Sequence, residues 1–330
     1  MRRSLGTSGI QVSPVGFGCW AIGGHFYDEN GDPVGWGQTD DAQSLAAIDK
    51  AVEMGVTFFE TADVYGTGRS EEILGKALAG RRDQIVLATK FGKTFDPVQK
   101  RMLGFDASPA YIRGALEASL QRLGTDYIDL YQFHIWDYPA AAAEPVRQTL
   151  EDLVAQGKIR AYGWAAGTVA QAKAFAQGPN FVSLQHNLNL FEADAELLNF
   201  CQRLGLTSIN TAPLAMGLLT GKYDRSTRFG ATDVRRYASS WSPLFTAGRP
   251  TETVIDRLEA VREILQSGGR TLAQGALAWI WGRSPITVPI PGFKNVQQAE
   301  ENARAMEWGP LTEAQMDEIE TLLAPLPSGP

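Results

Sequence analysis

Eight short apolar runs that alternate with helix-like segments constrain the fold of this chain more than any other feature. The runs occupy residues 15–18, 57–60, 85–90, 127–134, 159–164, 181–186, 206–210 and 286–290. In the segments between them, apolar residues recur three or four positions apart, as Leu45, Ile48 and Val52 do, which is the spacing of one helix face. Eight strand–helix units favour a closed parallel (β/α)8 barrel, although a doubly wound sheet shows the same alternation.

The ends of the helix-like segments carry the residues that start and stop helices. Ser108 followed by Pro109 is typical of a helix start, because serine caps the free amides and proline fits the first helical position. Gly55 and Gly124 stand where a left-handed residue ends a helix. These signals support the division of the chain into separate helices.

Three segments lie outside the strand–helix pattern. A turn at residues 7–9 predicts an N-terminal β-hairpin over residues 4–13. Residues 23–38 and 223–250 lack periodicity and are predicted to be long βα loops. Loops of this length serve as lids or binding loops, or they are simply mobile surface, and the sequence leaves both interpretations open.

The length and composition are those of a globular protein with a large core. At 330 residues, with 44% hydrophobic and 20% charged side chains, the chain is long for one domain but has the size that barrels use. We therefore expect residues 1–330 to form a single domain.

Charge and cysteine content limit the possible partners and compartments. A net charge of -7 provides no basic field for nucleic acid, and no stretch approaches the roughly 20 apolar residues that span a membrane. Cys19 and Cys201 are too few for a disulfide scaffold, and the N-terminal residues lack the apolar region of a secretory signal. We expect a cytoplasmic protein that binds neither nucleic acid nor membrane, and the sequence predicts no oligomeric state.

Polar residues follow three consecutive apolar runs, at the positions where a barrel carries its reacting groups. Glu60 ends the second run, with Tyr65 just beyond it, Lys90 ends the third and His134 ends the fourth. An ammonium beside a phenol favours the phenolate and would bring proton transfer into a useful range of pH. A carboxylate could hold the lysine, and an imidazole could bind a carbonyl oxygen. Each residue alone is more often a rim or packing residue, but their joint placement indicates carbonyl reduction.

The chain resembles the aldo-keto reductases over residues 5–323. The matching stretches are VGFG at 15–18 with Trp20, ETADVYG at 60–66 followed by SEEILG at 70–75, ATK at 88–90, DYIDLY at 126–131 leading to His134, PLAMGLLTGKY at 213–223, and IPG at 290–292. The resemblance implies a barrel without a Rossmann domain, NADP(H) as cofactor, and a small-molecule aldehyde or ketone as substrate.

The resemblance also implies roles for the candidate catalytic residues. Tyr65 corresponds to the general acid, Lys90 to its partner and His134 to the residue that orients the carbonyl. The family has aspartate where this chain has Glu60, which is one methylene longer. Substrate contacts are expected from Trp20, Tyr65, His134 and Trp136, although tryptophans in a barrel also pack between helices and loops.

The cofactor site is predicted from two segments. No G-x-G-x-x-G follows a strand, and residues 217–222 are one residue short of a nucleotide phosphate loop, with Tyr223 in place of serine or threonine. Asn295 is a helix cap beside Lys294, and a helix start with a lysine suits a phosphate, although an ordinary capped surface helix shows the same pattern. By resemblance, the predicted cofactor contacts are Gly18, Trp20, Trp164, Gln185, Pro213, Leu214, Gly217, Leu219, Gly221, Lys222, Gly292, Lys294, Gln298, Glu301 and Asn302.

The match to the family is weaker around the nicotinamide. Ala165 and Ala166 stand where many relatives have a serine and an asparagine that bind the carboxamide, and Thr211 replaces a larger residue. Two alternatives therefore accompany the reductase: an NADP-binding regulatory subunit with little turnover, and a redox-neutral lyase or isomerase that recycles its NADP. The complete set of Tyr65, Lys90 and His134 favours an enzyme.

Overall fold

The computed structural model describes residues 2–165 and 167–324, and its elements follow the alternation found in the sequence. In chain order the strands are β1 Arg3–Ser4, β2 Gln11–Val12, β3 Phe17–Gly18, β4 Phe58–Glu60, β5 Val86–Phe91, β6 Lys93–Asp96, β7 Arg101–Phe105, β8 Ile128–Phe133, β9 Ile159–Ala165, β10 Phe181–Asn189, β11 Glu192–Ala193, β12 Thr207–Thr211, β13 Phe245–Thr246, β14 Arg249–Pro250 and β15 Thr287–Pro289. The helices are α1 Asp41–Glu53, α2 Arg69–Leu78, α3 Pro109–Leu123, α4 Glu144–Ala155, α5 Val169–Phe175, α6 Ala195–Leu204, α7 Glu252–Leu265, α8 Leu272–Arg283, α9 Val296–Arg304 and α10 Glu313–Leu323.

Parallel strands close into a barrel in the order β3, β4, β5, β8, β9, β10, β12 and β15. The first and last of these meet because the amides of Gly16 and Gly18 donate to the carbonyls of Pro289 and Pro291, over 2.9 and 3.1 Å. A Cβ at Gly18 would lie 2.9 Å from the carbonyl oxygen of Ile290, so this close approach requires glycine. The predicted (β/α)8 barrel is confirmed.

The N-terminal hairpin closes the end of the barrel at which the strands begin. Strands β1 and β2 pair antiparallel, which confirms the predicted hairpin. The amide of Gly6 donates to Thr207 Oγ1 at the start of β12, over 2.7 Å. Leu5, Ile10 and Val12 are buried with the apolar side chains inside the barrel. Polar side chains are thus left for the opposite end, where the strands finish.

Alternate residues of a strand face the helices and the barrel interior. In β9, Trp164 packs against Phe133 and against Phe175 of α5, with ring centroids 5.2 and 4.5 Å apart. Gly163 and Ala165 therefore face the interior. This alternation leaves a stretch of the inner wall without large side chains.

The helices begin and end at the residues that the sequence indicated. The Ser108 side chain accepts a hydrogen bond from the amide of Tyr111 over 3.2 Å, at the start of α3. Gly124 ends the same helix with φ 64, and Gly55 follows α1 with φ 86. Across residues 2–165 and 167–324, none of the helices is long and apolar enough to cross a membrane.

Both predicted long loops are present, and they contact each other. Trp36 of the first forms an antiparallel bridge with Asp233 of the second. The second loop also carries the short β13–β14 pair. A further hairpin, formed by β6 and β7 after the third barrel strand, was not predicted. Its sequence, with Pro97 among mixed polar and apolar residues, lacks the alternation typical of a strand.

Candidate active site

A cavity of about 260 Å³ opens at the end of the barrel where the strands finish. Its wall combines the ends of β3 and β4, the segment after β12 and the start of α9. The predicted site residues that line it are Gly18, Trp20, Glu60, Tyr65, Pro213, Leu214, Gly217, Lys222, Gly292, Lys294, Gln298, Glu301 and Asn302. Folding therefore brings the two segments predicted from the sequence to one cavity.

Lys90 lies at the centre of a buried cluster beside this cavity. Its ammonium donates to the Tyr65 hydroxyl over 2.8 Å and to the carbonyl of Thr61 over 3.0 Å. It also forms an ion pair with Glu60 Oε1. Lys90 is 0% exposed and Glu60 is 2% exposed, so the charges are shielded from water. Three of the residues proposed from strand ends thus meet within hydrogen-bonding distance.

The Tyr65 phenol is neutral in this setting. Burial raises its pKa well above the ordinary value of 10.0, and the nearby carboxylate of Glu60 raises it further. Sequence reasoning expected Lys90 to draw the phenol toward phenolate, and it was wrong about the direction because burial disfavours the charged form. The structure instead presents a protonated phenol whose oxygen already accepts a hydrogen bond from Lys90.

His134 completes the group on the far side of Tyr65. The two rings meet edge to face, with centroids 5.8 Å apart. Burial lowers the pKa of His134 well below 6.5, and the charges of Lys93 and Lys90 lower it further. The imidazole is therefore neutral at neutral pH, and its Nδ1 is buried without a partner among the described residues.

Gln185 reaches this cluster from another strand. It ends a run on β10, and its Nε2 donates to Glu60 Oε1 over 2.8 Å. Glu60 lines the cavity, and Gln185 contacts the cavity wall through Glu60. The same oxygen of Glu60 therefore contacts both Lys90 and Gln185.

Comparison with known proteins decides the family. The model of the Aldo/keto reductase family matches residues 14–324. This chain is an aldo/keto reductase family member. Several of the residues that carried the resemblance line the cavity or belong to the lysine cluster, among them Gly18, Trp20, Glu60, Tyr65 and Lys90.

Relatives and solved structures that are similar to this chain span nearly its whole length. Aldo-keto reductase YhdN of Bacillus subtilis (strain 168) is 33% identical over 325 residues, which cover 97% of this chain and 92% of YhdN. Glycerol dehydrogenase AKR11B4 from Gluconobacter oxydans has a TM-score of 0.83 at 28% identity and covers 99% of this chain and 98% of its own. An aldo/keto reductase from Klebsiella pneumoniae, solved in complex with NADP and acetate, has a TM-score of 0.70 at 26% identity and covers 98% of this chain and 96% of its own.

In this aldo/keto reductase, the segment after β12 turns sharply along the cavity wall. Met216, Gly217 and Gly221 adopt left-handed backbone conformations, with φ of 54, 92 and 74. Gly217 lines the cavity, whereas Leu219 is fully buried in the core behind it. The turn thus places part of the predicted segment at the cavity and uses the rest as its support.

The start of α9 forms the other end of the cavity. Asn295 caps the helix by accepting from the amide of Gln298 over 2.9 Å, which confirms the predicted cap. Gln298 Oε1 accepts from the amide of Lys294 over 2.8 Å. The Lys294 ammonium donates to the carbonyl of Trp36, and burial lowers its pKa. A lysine and free helix amides therefore meet where the first long loop crosses the barrel mouth.

Sequence reasoning missed Arg235, which also lines the cavity. Its guanidinium pairs with Asp233 over 2.6 Å and lies over the rings of Trp36, Tyr223 and Phe229, at 5.1, 4.8 and 4.3 Å. No motif marks this arginine, which contacts Asp233, Tyr223 and Phe229 within its own irregular loop and Trp36 in the other long loop. Among the cavity residues missed with it are Trp36, Tyr223 and Phe293.

Among the predicted site residues outside the cavity lining, Trp164 and Trp136 also make no hydrogen bond to the lysine cluster within the described part of the chain. Trp164 faces the helices, and its Nε1 donates to the carbonyl of Ile135 over 3.0 Å. The alternation of β9 could have shown this, because Trp164 is out of phase with Gly163 and Ala165. Trp136 lies outside the cavity wall, and its carbonyl accepts from Gln171 Nε2 over 2.6 Å.

The residues that depart from the family pattern around the nicotinamide do not all line the cavity. Thr211 lines the cavity, and Ala165 is buried on the inner face of β9. Ala166 lies outside the described residues. At Thr211 and Ala165, the structure therefore shows smaller side chains beside the cluster of Lys90, Glu60 and Gln185.

Proposed function

We propose that this protein reduces an aldehyde or ketone to an alcohol with NADPH, by reversible hydride transfer, as a single domain spanning residues 1–330. The observation that carries the proposal is the buried lysine that contacts both Tyr65 and Glu60 at the cavity wall. Family membership supports oxidoreductase activity in general. The proposal adds the direction of the reaction, the cofactor and the roles of individual residues.

The cavity suits a phosphorylated dinucleotide. Lys294 and the first amides of α9 provide positive charge for a 2′-phosphate. Arg235 adds a second cation to the same wall. The Klebsiella pneumoniae relative, whose fold this chain shares, was solved in complex with NADP and acetate. We therefore assign Lys294, Gln298, Glu301 and Asn302 to the adenosine phosphate, and Gly217 with Lys222 to the pyrophosphate.

The chain's own residues manage the proton. When bound, the reduced nicotinamide supplies a hydride to the carbonyl carbon. Tyr65 gives its proton to the carbonyl oxygen, and the Lys90 ammonium stabilises the phenolate that remains. Glu60 keeps Lys90 charged in its buried position. His134, which is neutral, donates a hydrogen bond to the carbonyl oxygen and polarises it.

The substrate lies against the aromatic side of this cluster. Trp20 lines the cavity and stacks on Tyr65, with ring centroids 6.0 Å apart. Tyr65 and His134 face the reacting carbonyl, so Trp20 forms the adjoining wall. Trp136 stands outside the cavity wall, and the proposal does not extend substrate contact to it.

The alternative functions differ in what they require of the lysine cluster. A buried ion pair costs desolvation energy, which a regulatory subunit without turnover has no reason to keep. A redox-neutral lyase or isomerase would use the same cluster but would leave the amount of NADPH unchanged. Net consumption of NADPH therefore separates the proposed reductase from both alternatives.

The experiment is a fluorescence titration of the purified protein with NADPH, followed by a panel of aldehydes and ketones in the same cuvette. Absorbance of the reduced nicotinamide reports turnover, and the Tyr65→Phe variant serves as the matched control. Binding with carbonyl-dependent oxidation in the wild-type protein supports the proposal. Binding without oxidation by any carbonyl favours the alternatives, and failure to bind NADPH contradicts the cofactor assignment.

A further inference from the structure

The hydrogen bond between Gln185 and Glu60 crosses the barrel from one wall to the opposite wall. Strands β5, β8 and β9 separate β4 from β10 on one side, and β3, β15 and β12 separate them on the other. Gln185 Nε2 nevertheless reaches Glu60 Oε1 over 2.8 Å. The contact depends on the length of both side chains, because β4 and β10 are not adjacent.

The same carboxylate oxygen holds Lys90, which is much closer along the sheet. Lys90 stands on β5, and β5 pairs directly with β4, with Glu60 opposite Ala88. A shorter carboxylate at position 60 would withdraw toward β4. The flexible lysine can follow it from the adjacent strand, whereas Gln185 is held on the opposite wall. Shortening Glu60 therefore breaks the contact with Gln185 first.

The contact also fixes the orientation of the Gln185 amide. A carboxylate paired with an ammonium only accepts hydrogen bonds, so Gln185 must turn its NH₂ group toward Glu60. Its Oε1 then points away, and this oxygen is buried without a partner among the described residues. A buried acceptor left unpaired costs free energy, so the site is prepared for a ligand that carries an N–H donor.

Strand β9 offers no side-chain acceptor to such a ligand. Strand β9, which adjoins β10, faces the interior with Gly163 and Ala165, and neither has a polar side-chain atom. The acceptor that β10 presents therefore has no side-chain substitute on β9.

We propose that Glu60 is a positioning residue for the cofactor as well as for Lys90. By orienting Gln185, it presents one hydrogen-bond acceptor to the N–H of the nicotinamide carboxamide. A single carboxylate therefore links the position of the nicotinamide ring to that of the proton donor. This inference rests on the proposed function. Replacing Glu60 by the aspartate usual in the family would not improve this enzyme, because the shorter side chain would lose its contact with Gln185.

The test compares the binding of NADP⁺ with that of its 3-acetylpyridine analogue, which replaces the carboxamide by an acetyl group without N–H. Wild-type protein should bind NADP⁺ about tenfold more tightly than the analogue, the effect expected for one hydrogen bond to a buried acceptor. In Glu60→Asp the amide of Gln185 is free to turn toward either ligand, and the preference should fall to near one. Gln185→Leu should lose the preference to the same extent.

A double variant shows whether the two residues act through one contact. The Glu60→Asp and Gln185→Leu changes together should alter the preference no more than either change alone, because both remove the same interaction. Gln132→Leu is the matched control, since it removes a buried glutamine of strand β8 that has no hydrogen bond to Glu60 or Lys90 among the described residues. Its preference should equal that of the wild type.

The outcomes separate this inference from the proposed function. If wild-type protein binds neither NADP⁺ nor the analogue, the proposed function fails. If it binds NADP⁺ but Glu60→Asp keeps the full preference for NADP⁺, the inference alone is overturned. The same holds if the effects of the two single changes on that preference add in the double variant. Should Glu60→Asp fail to unfold cooperatively on heating, Glu60→Gln replaces it. That variant keeps the length and an acceptor oxygen, so it should retain the preference, and losing it would contradict the inference.

Discussion

The two ends of the cavity are built in different ways. At the catalytic end, Tyr65, Lys90 and Glu60 follow or belong to barrel strands, and their contacts are buried. At the other end, Lys294 lies just before the cap of helix α9 and donates to the carbonyl of Trp36, which belongs to a long loop. Under the proposed function, proton transfer falls to buried residues of the barrel and nucleotide binding to the segments that cover it.

The two ends are nevertheless connected by aromatic contacts. Trp36 packs edge to face on Trp20, with ring centroids 5.2 Å apart, and Trp20 stacks on Tyr65. Trp20 also donates to the carbonyl of Val34 over 3.0 Å, which ties it to the loop. The loop that contacts Lys294 is therefore linked to Tyr65 through Trp20.

The largest effect expected is that of Tyr65→Phe. The change removes the proton donor but keeps the ring that stacks on Trp20. Reduction should slow by about 10²- to 10⁴-fold, the usual contribution of a positioned acid. The dissociation constant for NADPH should change little. A variant with wild-type turnover would show that another group supplies the proton.

Replacing the lysine should damage both stability and turnover. Lys90→Met leaves Glu60 buried without its cation, which costs about 3–5 kcal/mol of unfolding free energy. Urea denaturation measures this loss. Lys158→Met is the control, because Lys158 pairs with Glu117 at the surface. This change should lower the free energy of unfolding by less than about 1 kcal/mol. Equal losses in both variants would contradict the burial argument.

The rate of reduction should fall at alkaline pH, because the Lys90 ammonium loses its proton there. Burial lowers the pKa of Lys90 below 10.5, whereas burial raises that of Tyr65 above 10.0. As pH rises through the lowered value, the ammonium loses its proton and no longer stabilises the phenolate, so kcat/KM for reduction falls by about tenfold per pH unit. His134 should add no acid limb near pH 6.5, because its pKa is well below that value. A limb near pH 6.5 that vanishes in His134→Gln would refute this.

The smallest effect of the series concerns the other end of the cavity. Lys294→Ala should weaken binding of NADPH by about tenfold, as for loss of one hydrogen bond to a charged group, and should leave NADH nearly unaffected. Turnover at saturating NADPH should be close to that of the wild type. Equal weakening of both cofactors would remove Lys294 from the 2′-phosphate site.

The barrel, and the placement of the candidate catalytic residues at its strand ends, could be predicted because both follow from local patterns. Each strand is a short apolar run, and Glu60, Lys90 and His134 stand where such runs end. The same rule of alternation, applied to β9, would have placed Trp164 outside the cavity. The prediction used the resemblance there and ignored the two-residue period of the strand.

Other features depend on tertiary contacts that no local pattern reveals. Arg235 and Trp36 meet only because two long loops cross, and the β6–β7 hairpin has no alternation. The pKa of Tyr65 is raised chiefly by burial, and then by the nearby carboxylate of Glu60, and burial depends on the whole fold around the phenol. The hydrogen bond between Glu60 and Gln185 likewise could not be predicted without the strand order, which places their strands on opposite sides of the barrel.

The separation of the two ends can be tested most directly by rapid mixing of Tyr65→Phe and Lys294→Ala with NADPH and a reducible aldehyde. Cofactor fluorescence reports binding, and absorbance of the reduced nicotinamide reports hydride transfer in the same experiment. We expect Tyr65→Phe to bind normally and transfer slowly, and Lys294→Ala to bind weakly and transfer normally once saturated. If both variants lose binding and transfer together, the two ends do not have separate roles and the account is wrong.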